Sequence, residues 1–100
     1  MGTLSRMTEA VVLWIQDYLP NDKRDSVNTS IKLSEEASEL THAIYSGDGD
    51  VGEEIADCII LLLDIAFLNN VDIEEEFWKK MRTNEMRTWN KSKGCLKHEK

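Results

Sequence analysis

Five carboxylates in two short stretches are the residues best suited to chemistry. Glu35, Glu36 and Glu39 form the first stretch, and Glu54 and Asp57 follow after a gap of fourteen residues. On a helix, the three glutamates fall within about 100° of arc. Like charges held a few ångströms apart repel each other, so an ionised cluster persists only when a hard cation neutralises it. The pattern therefore predicts a metal site for Mg²⁺, with Mn²⁺ as a possible substitute.

The second stretch lies in an unusually apolar setting. Asp57 and Asp64 interrupt a run that is otherwise apolar from Ile55 to Leu68, and Glu54 immediately precedes this run. Burying a carboxylate without a partner costs several kcal/mol, so each of these residues needs compensation. Two acidic residues three positions apart with no basic neighbour favour a cation, whereas a lone carboxylate could cap another element. The glutamates at 35, 36 and 39 taken alone are more typical of a solvated helical face, and only their pairing with Glu54 and Asp57 favours a metal site. We assign no role to Asp64.

A basic group further along the chain is suited to phosphate. Lys80, Asn84 and Arg87 have the i, i+4, i+7 spacing of one helical face, which could hold successive phosphates with two cations and an amide. A solvent-exposed basic face is the alternative. Lys32 precedes Glu36 by one turn and is a further candidate for phosphate binding, although an ion pair with Glu36 explains it equally well.

The segments that must position these side chains are predicted to be four helices. Asp25 or Ser26, Asp50 and Asp72 are candidate N-caps for the last three, and Asp50 and Asp72 show capping-box spacing. The predicted helices span residues 4–18, about 26–45, 51–68 and 73–88. Since no useful segment alternates with period two, the fold class is all-α, a four-helix bundle. If the second and third helices pack antiparallel across the turn at 46–49, their acidic edges converge.

The third helix also predicts assembly. Its apolar residues cover nearly the whole circumference, so it should be buried centrally. Three other short helices have limited capacity to cover it, and a second chain is needed. We assign residues 1–89 to one helical domain and residues 90–100 to a basic C-terminal tail.

Composition restricts the class of protein. One hundred residues with 41% hydrophobic and 31% charged side chains form one globular domain. Residues 1–78 carry four Lys or Arg against seventeen Asp or Glu, whereas residues 79–100 carry eight against two. This acidic body argues against nucleic acid as a partner. No membrane span or secretion signal is expected, and two cysteines indicate a reducing compartment, the cytoplasm.

These residues together carry a family resemblance. Three motifs in sequence order resemble the MazG-like branch of the all-α nucleoside triphosphate pyrophosphohydrolases. They are Glu35-Glu36-x-x-Glu39, then Glu54-x-x-Asp57 after the fourteen-residue gap, and finally Lys80-x-x-x-Asn84-x-x-Arg87. The resemblance covers roughly residues 28–89. It implies Mg²⁺-dependent hydrolysis of an NTP or dNTP to the monophosphate and pyrophosphate, for cleaning or control of the nucleotide pool, by a homodimer or homotetramer.

The resemblance also implies roles for individual residues. Glu36, Glu39, Glu54 and Asp57 would hold the metal, and Glu35 and Glu36 would act as the catalytic carboxylates. Glu35 would hold or activate the attacking water, or assist a further metal. Lys80, Asn84 and Arg87 would bind the departing pyrophosphate. Leu61 occupies the position where some relatives place a Tyr near the sugar, and Trp14 is a candidate for the base pocket, with core packing as its alternative. Two other hypotheses stay open, a non-catalytic oligomerisation module and a phosphoribosyl-ATP pyrophosphohydrolase.

Overall fold

The computed structural model describes residues 2–92 and 94–98. Helix α1 spans Thr3–Ile15, a single 3₁₀ turn spans Asn21–Lys23, and helices α2, α3 and α4 span Ser26–Ser46, Val51–Leu68 and Ile73–Glu85. Two short strands follow, β1 at Trp89–Ser92 and β2 at Cys95–His98. The all-α class predicted from the sequence is confirmed, and no helix in the described part of the chain has the length and apolar character needed to cross a membrane.

The starts of the last three helices are fixed by aspartates. The Asp25 side chain accepts a hydrogen bond from the Val27 N–H at 2.8 Å, and Asp50 and Asp72 each accept one from the N–H three residues later at 3.1 Å. Each bond satisfies a donor that the first helical turn leaves unpaired. Helix α2 ends at Ser46 and is followed by Gly47, whose φ of 73° lies in the left-handed region that glycine adopts without strain. The N-caps predicted at Asp50 and Asp72 are confirmed, and of the two candidates for α2 the structure selects Asp25.

The first and fourth helices end earlier than the sequence predicted. Helix α1 stops at Ile15 instead of Tyr18, because the Tyr18 N–H bonds to the Ile15 carbonyl three residues back, which is a tighter turn than the α-helix. Helix α4 stops at Glu85 because the N–H groups of Met86 and Arg87 bond to carbonyls three residues back instead of four. This is the tighter 3₁₀ pattern. The Trp89 indole N–H then donates to the Asn84 carbonyl at 2.8 Å. Arg87 therefore lies beyond α4 and not on the helical face predicted for it.

The assigned C-terminal tail contains secondary structure that the sequence pattern did not predict. Strands β1 and β2 pair antiparallel, with Trp89 opposite His98 and Ser92 opposite Cys95. Neither strand alternates apolar and polar residues, since β1 reads Trp-Asn-Lys-Ser and β2 reads Cys-Leu-Lys-His, so the period-two signal is absent from both. The fold is thus a helical domain followed by a small hairpin.

Helices α2 and α3 form the centre of the molecule. They make the most extensive helix contact, α1 packs on α3, and α4 contacts α1. The short connection at residues 47–50 returns α3 along α2, which brings their acidic edges together. The buried apolar side chains among the described residues are few: Val11, Val12, Ala43, Leu63 and Ala66. Within one chain, α3 is therefore less covered than its sequence predicts.

Candidate active site

Three of the predicted metal ligands converge between α2 and α3. Glu36 of α2 and Glu54 and Asp57 of α3 each offer a carboxylate oxygen, and these atoms all lie within 4.8 Å of one another. Glu36 is buried, whereas Glu54 and Asp57 are half-buried. We call these three residues the carboxylate cluster. The convergence follows from the pairing of the two helices, as the sequence predicted.

The electrostatics of the cluster suit a hard cation. Burial raises the pKa of Glu54, and the negative charges of Glu39, Glu36 and Asp57 raise it further. The pKa of Glu39 is raised by hydrogen bonding to Glu36 and then by the charge of Glu36, which places Glu39 beside the cluster. Glu36 Oε2 and Glu54 Oε2 are buried without a hydrogen-bond partner in the described part of the chain. Buried carboxylate oxygens without a hydrogen-bond partner are suitable ligands for Mg²⁺ or Mn²⁺.

Lys32 partly neutralises this charge. Its Nζ lies 3.2 Å from Glu36 Oε1 and 3.6 Å from Glu35 Oε2, and both carboxylates raise the pKa of Lys32. The ion pair with Glu36 considered from the sequence is therefore present. Glu35 itself is exposed and stands outside the cluster. Its role in holding water stays a prediction, as does phosphate binding by Lys32.

An apolar cavity opens beside the cluster. Its volume is about 250 Å³, and Glu36 and Asp57 belong to its lining. Both residues proposed for a base pocket, Trp14 and Leu61, also line it, so the fold brings them next to the carboxylates. The complete lining is Val11, Trp14, Ile15, Lys32, Glu36, Asp57, Ile60, Leu61 and Asp64.

The basic group on α4 and in the turn after it is not part of this cavity. Lys80, Asn84 and Arg87 are absent from its lining as far as the described residues extend. Asn84 Oδ1 is buried without a hydrogen-bond partner among those residues, although its backbone carbonyl accepts the bond from Trp89. Phosphate binding by these three residues stays a prediction.

Sequence reasoning missed the partner of Asp64. Arg24 Nη2 lies 3.1 Å from Asp64 Oδ1, and both side chains are only 2% exposed. Arg24 Nη1 also donates to the Leu19 carbonyl at 3.3 Å, and its guanidinium lies 5.7 Å from the centre of the Phe67 ring. The available signal was a carboxylate in an apolar helix that required a cation. Arg24 is forty residues away in sequence, so local spacing did not reveal it.

Helices that bring three carboxylates together beside an apolar cavity define an all-α protein with a candidate divalent-cation site. No protein-family model matches the sequence. A dATP/dGTP diphosphohydrolase of Cyanophage S-2L is 34% identical over 98 residues, which are 97% of this chain and 89% of that protein. A dATP/dGTP diphosphohydrolase of Salmonella phage PMBT28 is 36% identical over 88 residues. This chain covers 28% of the length of the Salmonella phage protein.

A solved structure gives the same relationship. The chain matches the Cyanophage S-2L MazG-like pyrophosphohydrolase bound to dGDP and three catalytic Mn²⁺ ions per active site, with a TM-score of 0.80 and 30% identity over 100% of both chains. The chain therefore belongs to the MazG-like pyrophosphohydrolase family, which places it among hydrolases acting on phosphoric anhydrides. The resemblance recognised from the sequence is confirmed.

Proposed function

We propose that this chain is a divalent-cation-dependent pyrophosphohydrolase that converts a purine deoxynucleoside triphosphate to the monophosphate and pyrophosphate. The observation that carries the proposal is the carboxylate cluster at the edge of an apolar cavity. The relatives named dATP/dGTP diphosphohydrolase and the dGDP-bound neighbour support the substrate class. Removal or adjustment of nucleotides in the pool is the corresponding biological task.

The carboxylate cluster would hold the cation. Glu36, Glu54 and Asp57 supply the oxygen ligands, and Glu39 lies next to Glu36 as a fourth candidate. A bound Mg²⁺ or Mn²⁺ polarises a phosphoryl oxygen and offsets the negative charge that develops during hydrolysis. We favour Mg²⁺ as the resident ion, with Mn²⁺ able to replace it.

Residues around the cluster would bind the rest of the substrate. Trp14 and Leu61 offer apolar surface to the base and sugar within the cavity. Lys32 would exchange its ion pair with Glu36 for a substrate phosphate, and Glu35 would orient the attacking water. Lys80, Asn84 and Arg87 would bind the pyrophosphate portion through charge-assisted hydrogen bonds.

We also propose that the active form is a homodimer or homotetramer. The limited buried core of one chain and the exposed apolar residues of α3 support this assembly.

Two cysteines in one hundred residues fit a reducing, cytoplasmic setting.

One experiment tests the activity. Pyrophosphate release is measured across the four common dNTPs, the four NTPs and phosphoribosyl-ATP, with Mg²⁺, with Mn²⁺ and with a chelator. We expect release from dATP and dGTP that the chelator abolishes. Activity confined to phosphoribosyl-ATP would contradict the substrate class, and absence of turnover with every compound would favour the non-catalytic module.

A further inference from the structure

Of the four helices, α4 packs least against the rest of the chain. It lies on α1, and that contact is much less extensive than the one that joins α2 and α3. None of the thirteen residues of α4 is buried. One side of the helix is nevertheless apolar, since Ile73, Phe77 and Met81 follow at intervals of four residues and Trp78 lies beside them. We call these four residues the α4 stripe.

The α4 stripe exposes aromatic surface. Phe77, Trp78 and Met81 are 49%, 56% and 37% exposed. The Phe77 and Trp78 rings contact each other edge to face with their centroids 5.0 Å apart, so the two side chains form one continuous patch. Burial of such side chains is strongly favourable, and an aromatic patch left in water on a helix is typical of a surface that binds another protein chain.

The charges of α4 are divided between its two halves. The first half is acidic and the second is basic, with Glu74, Glu75 and Glu76 followed by Lys79, Lys80 and Arg82. None of these side chains forms an ion pair among the described residues. The helix dipole accounts for this distribution within one chain, but it does not account for the exposed α4 stripe between the two groups.

We propose that α4 pairs antiparallel with α4 of a second copy of this chain. This arrangement brings the acidic half of each helix against the basic half of the other, whereas a parallel arrangement would bring like charges together. A twofold axis produces such a self-complementary contact, in which every pair of residues occurs twice. Lys79 is the middle residue of α4, so Phe77 of one copy lies level with the partner's Met81. The proposal rests on the self-association proposed above and is independent of the proposed activity.

Two charged residues beside the α4 stripe determine the test. Glu75 and Arg82 are both exposed, and they lie seven residues apart, or about two turns, on the side of the helix next to Trp78. In an antiparallel pair of helices the same sides meet, so Glu75 faces the partner's Arg82, and Arg82 faces the partner's Glu75.

Charge reversal in the full chain tests this pairing, with sedimentation equilibrium as the measurement of self-association. Glu75→Arg and Arg82→Glu should each raise the dissociation constant about tenfold, because like charges then face each other at two places. The double variant Glu75→Arg, Arg82→Glu restores opposite charges across the contact and should associate about as tightly as the parent. In a parallel pair each residue would face its own copy, so this rescue is specific to the antiparallel arrangement.

A variant without a charge change tests the aromatic part of the contact. Trp78→Gln removes exposed aromatic surface and should raise the dissociation constant at least about tenfold. Glu9→Arg is the matched control for charge, since it makes the same change at an exposed residue of α1 and should associate like the parent. Far-ultraviolet circular dichroism should show the helicity of the parent in every variant, because none of these side chains is buried.

Two results would overturn the pairing of α4. One is a parent that associates but whose association tolerates Trp78→Gln and both single charge reversals, which would leave the assembly itself intact. The other is a double variant that associates as weakly as the single variants. Sedimentation requires no turnover, so neither result bears on the proposed hydrolysis, which pyrophosphate release tests separately.

Discussion

At the scale of single residues, the carboxylate cluster is an arrangement that folding alone does not favour. Glu36, Glu54 and Asp57 bring oxygens within 4.8 Å, and Lys32 contacts only the first of them. The pKa of Glu54 is raised first by burial and then by its acidic neighbours, and the pKa of Glu39 is raised by hydrogen bonding to Glu36 and then by the charge of Glu36. A cost of this kind in a family of hydrolases is explained most directly by a bound cation.

We expect Glu54→Gln and Asp57→Asn each to abolish metal-dependent turnover and to leave helicity unchanged, because each removes a ligand charge at nearly constant volume. Loss of rate by a factor of at least about a thousand, or roughly 4 kcal/mol, is the expected scale for a group of this kind. Pyrophosphate release and far-ultraviolet circular dichroism are the measurements. Glu53→Gln is the matched control, since Glu53 is adjacent in sequence but outside the cluster. Near-normal activity in either variant would remove that residue from the site.

The pH dependence of stability follows from the same residues. Glu39 and Glu54 bind a proton more readily in the folded chain than in the unfolded chain, whose carboxyls titrate near 4.5. The stability that this protonation contributes is present at acidic pH and is lost as the pH rises from the ordinary pKa through the raised values. Without a divalent cation, we expect the melting temperature to fall as the pH rises from about 4.5 through the raised pKa values of Glu39 and Glu54.

Two measurements identify the source of that pH dependence. The melting temperature of Glu54→Gln should fall less steeply with pH than that of the parent, because one titrating carboxyl is absent. Addition of Mg²⁺ should raise the melting temperature of the parent more at the higher pH, where the carboxylates are ionised. An equal slope in parent and variant would mean that Glu54 does not carry the effect.

At the scale of helices and strands, the sequence predicted the features that depend on residues close together in the chain. Asp25, Asp50 and Asp72 cap their helices through bonds to residues two or three positions away, so spacing alone predicted them. The contact of Arg24 with Asp64 spans forty residues and depends on tertiary packing. The trio of cluster residues was predictable because the short turn between α2 and α3 leaves few ways to pair them.

Helix α4 and the turn that follows it carry the phosphate-binding prediction. We expect Lys80→Ala and Arg87→Ala to weaken triphosphate binding by about tenfold to a hundredfold each, since a charge-assisted hydrogen bond contributes about 1.5–3 kcal/mol. The measurement is the dissociation constant of a non-hydrolysable dGTP analogue. Lys79→Ala changes a neighbouring lysine on another face of α4 and serves as the control. If all three variants bind like the parent, the segment is a solvent-exposed basic face.

At the scale of the whole molecule, the main feature is the exposed apolar surface of α3. Ile55, Ile59 and Leu62 recur at i, i+4 and i+7 on α3 and are 44%, 37% and 46% exposed. Together they form an apolar stripe on the central helix, which we call the α3 stripe. A soluble chain rarely leaves such a stripe in water, and association with a second copy is the commonest way to cover it.

We therefore expect sedimentation at micromolar concentration to give a mass at least twice the 11.5 kDa of one chain. Ile59→Lys places a charge in the α3 stripe and should shift the chain towards monomer, because an unpaired charge buried between copies costs several kcal/mol. Met86→Lys adds the same charge at a side chain that is 88% exposed, beyond the end of α4, and should leave the mass unchanged. An active parent that sediments as a monomer would contradict the assembly. It would also mean that the apolar side chains of α3 remain in contact with water, which their number and spacing on a central helix make unfavourable.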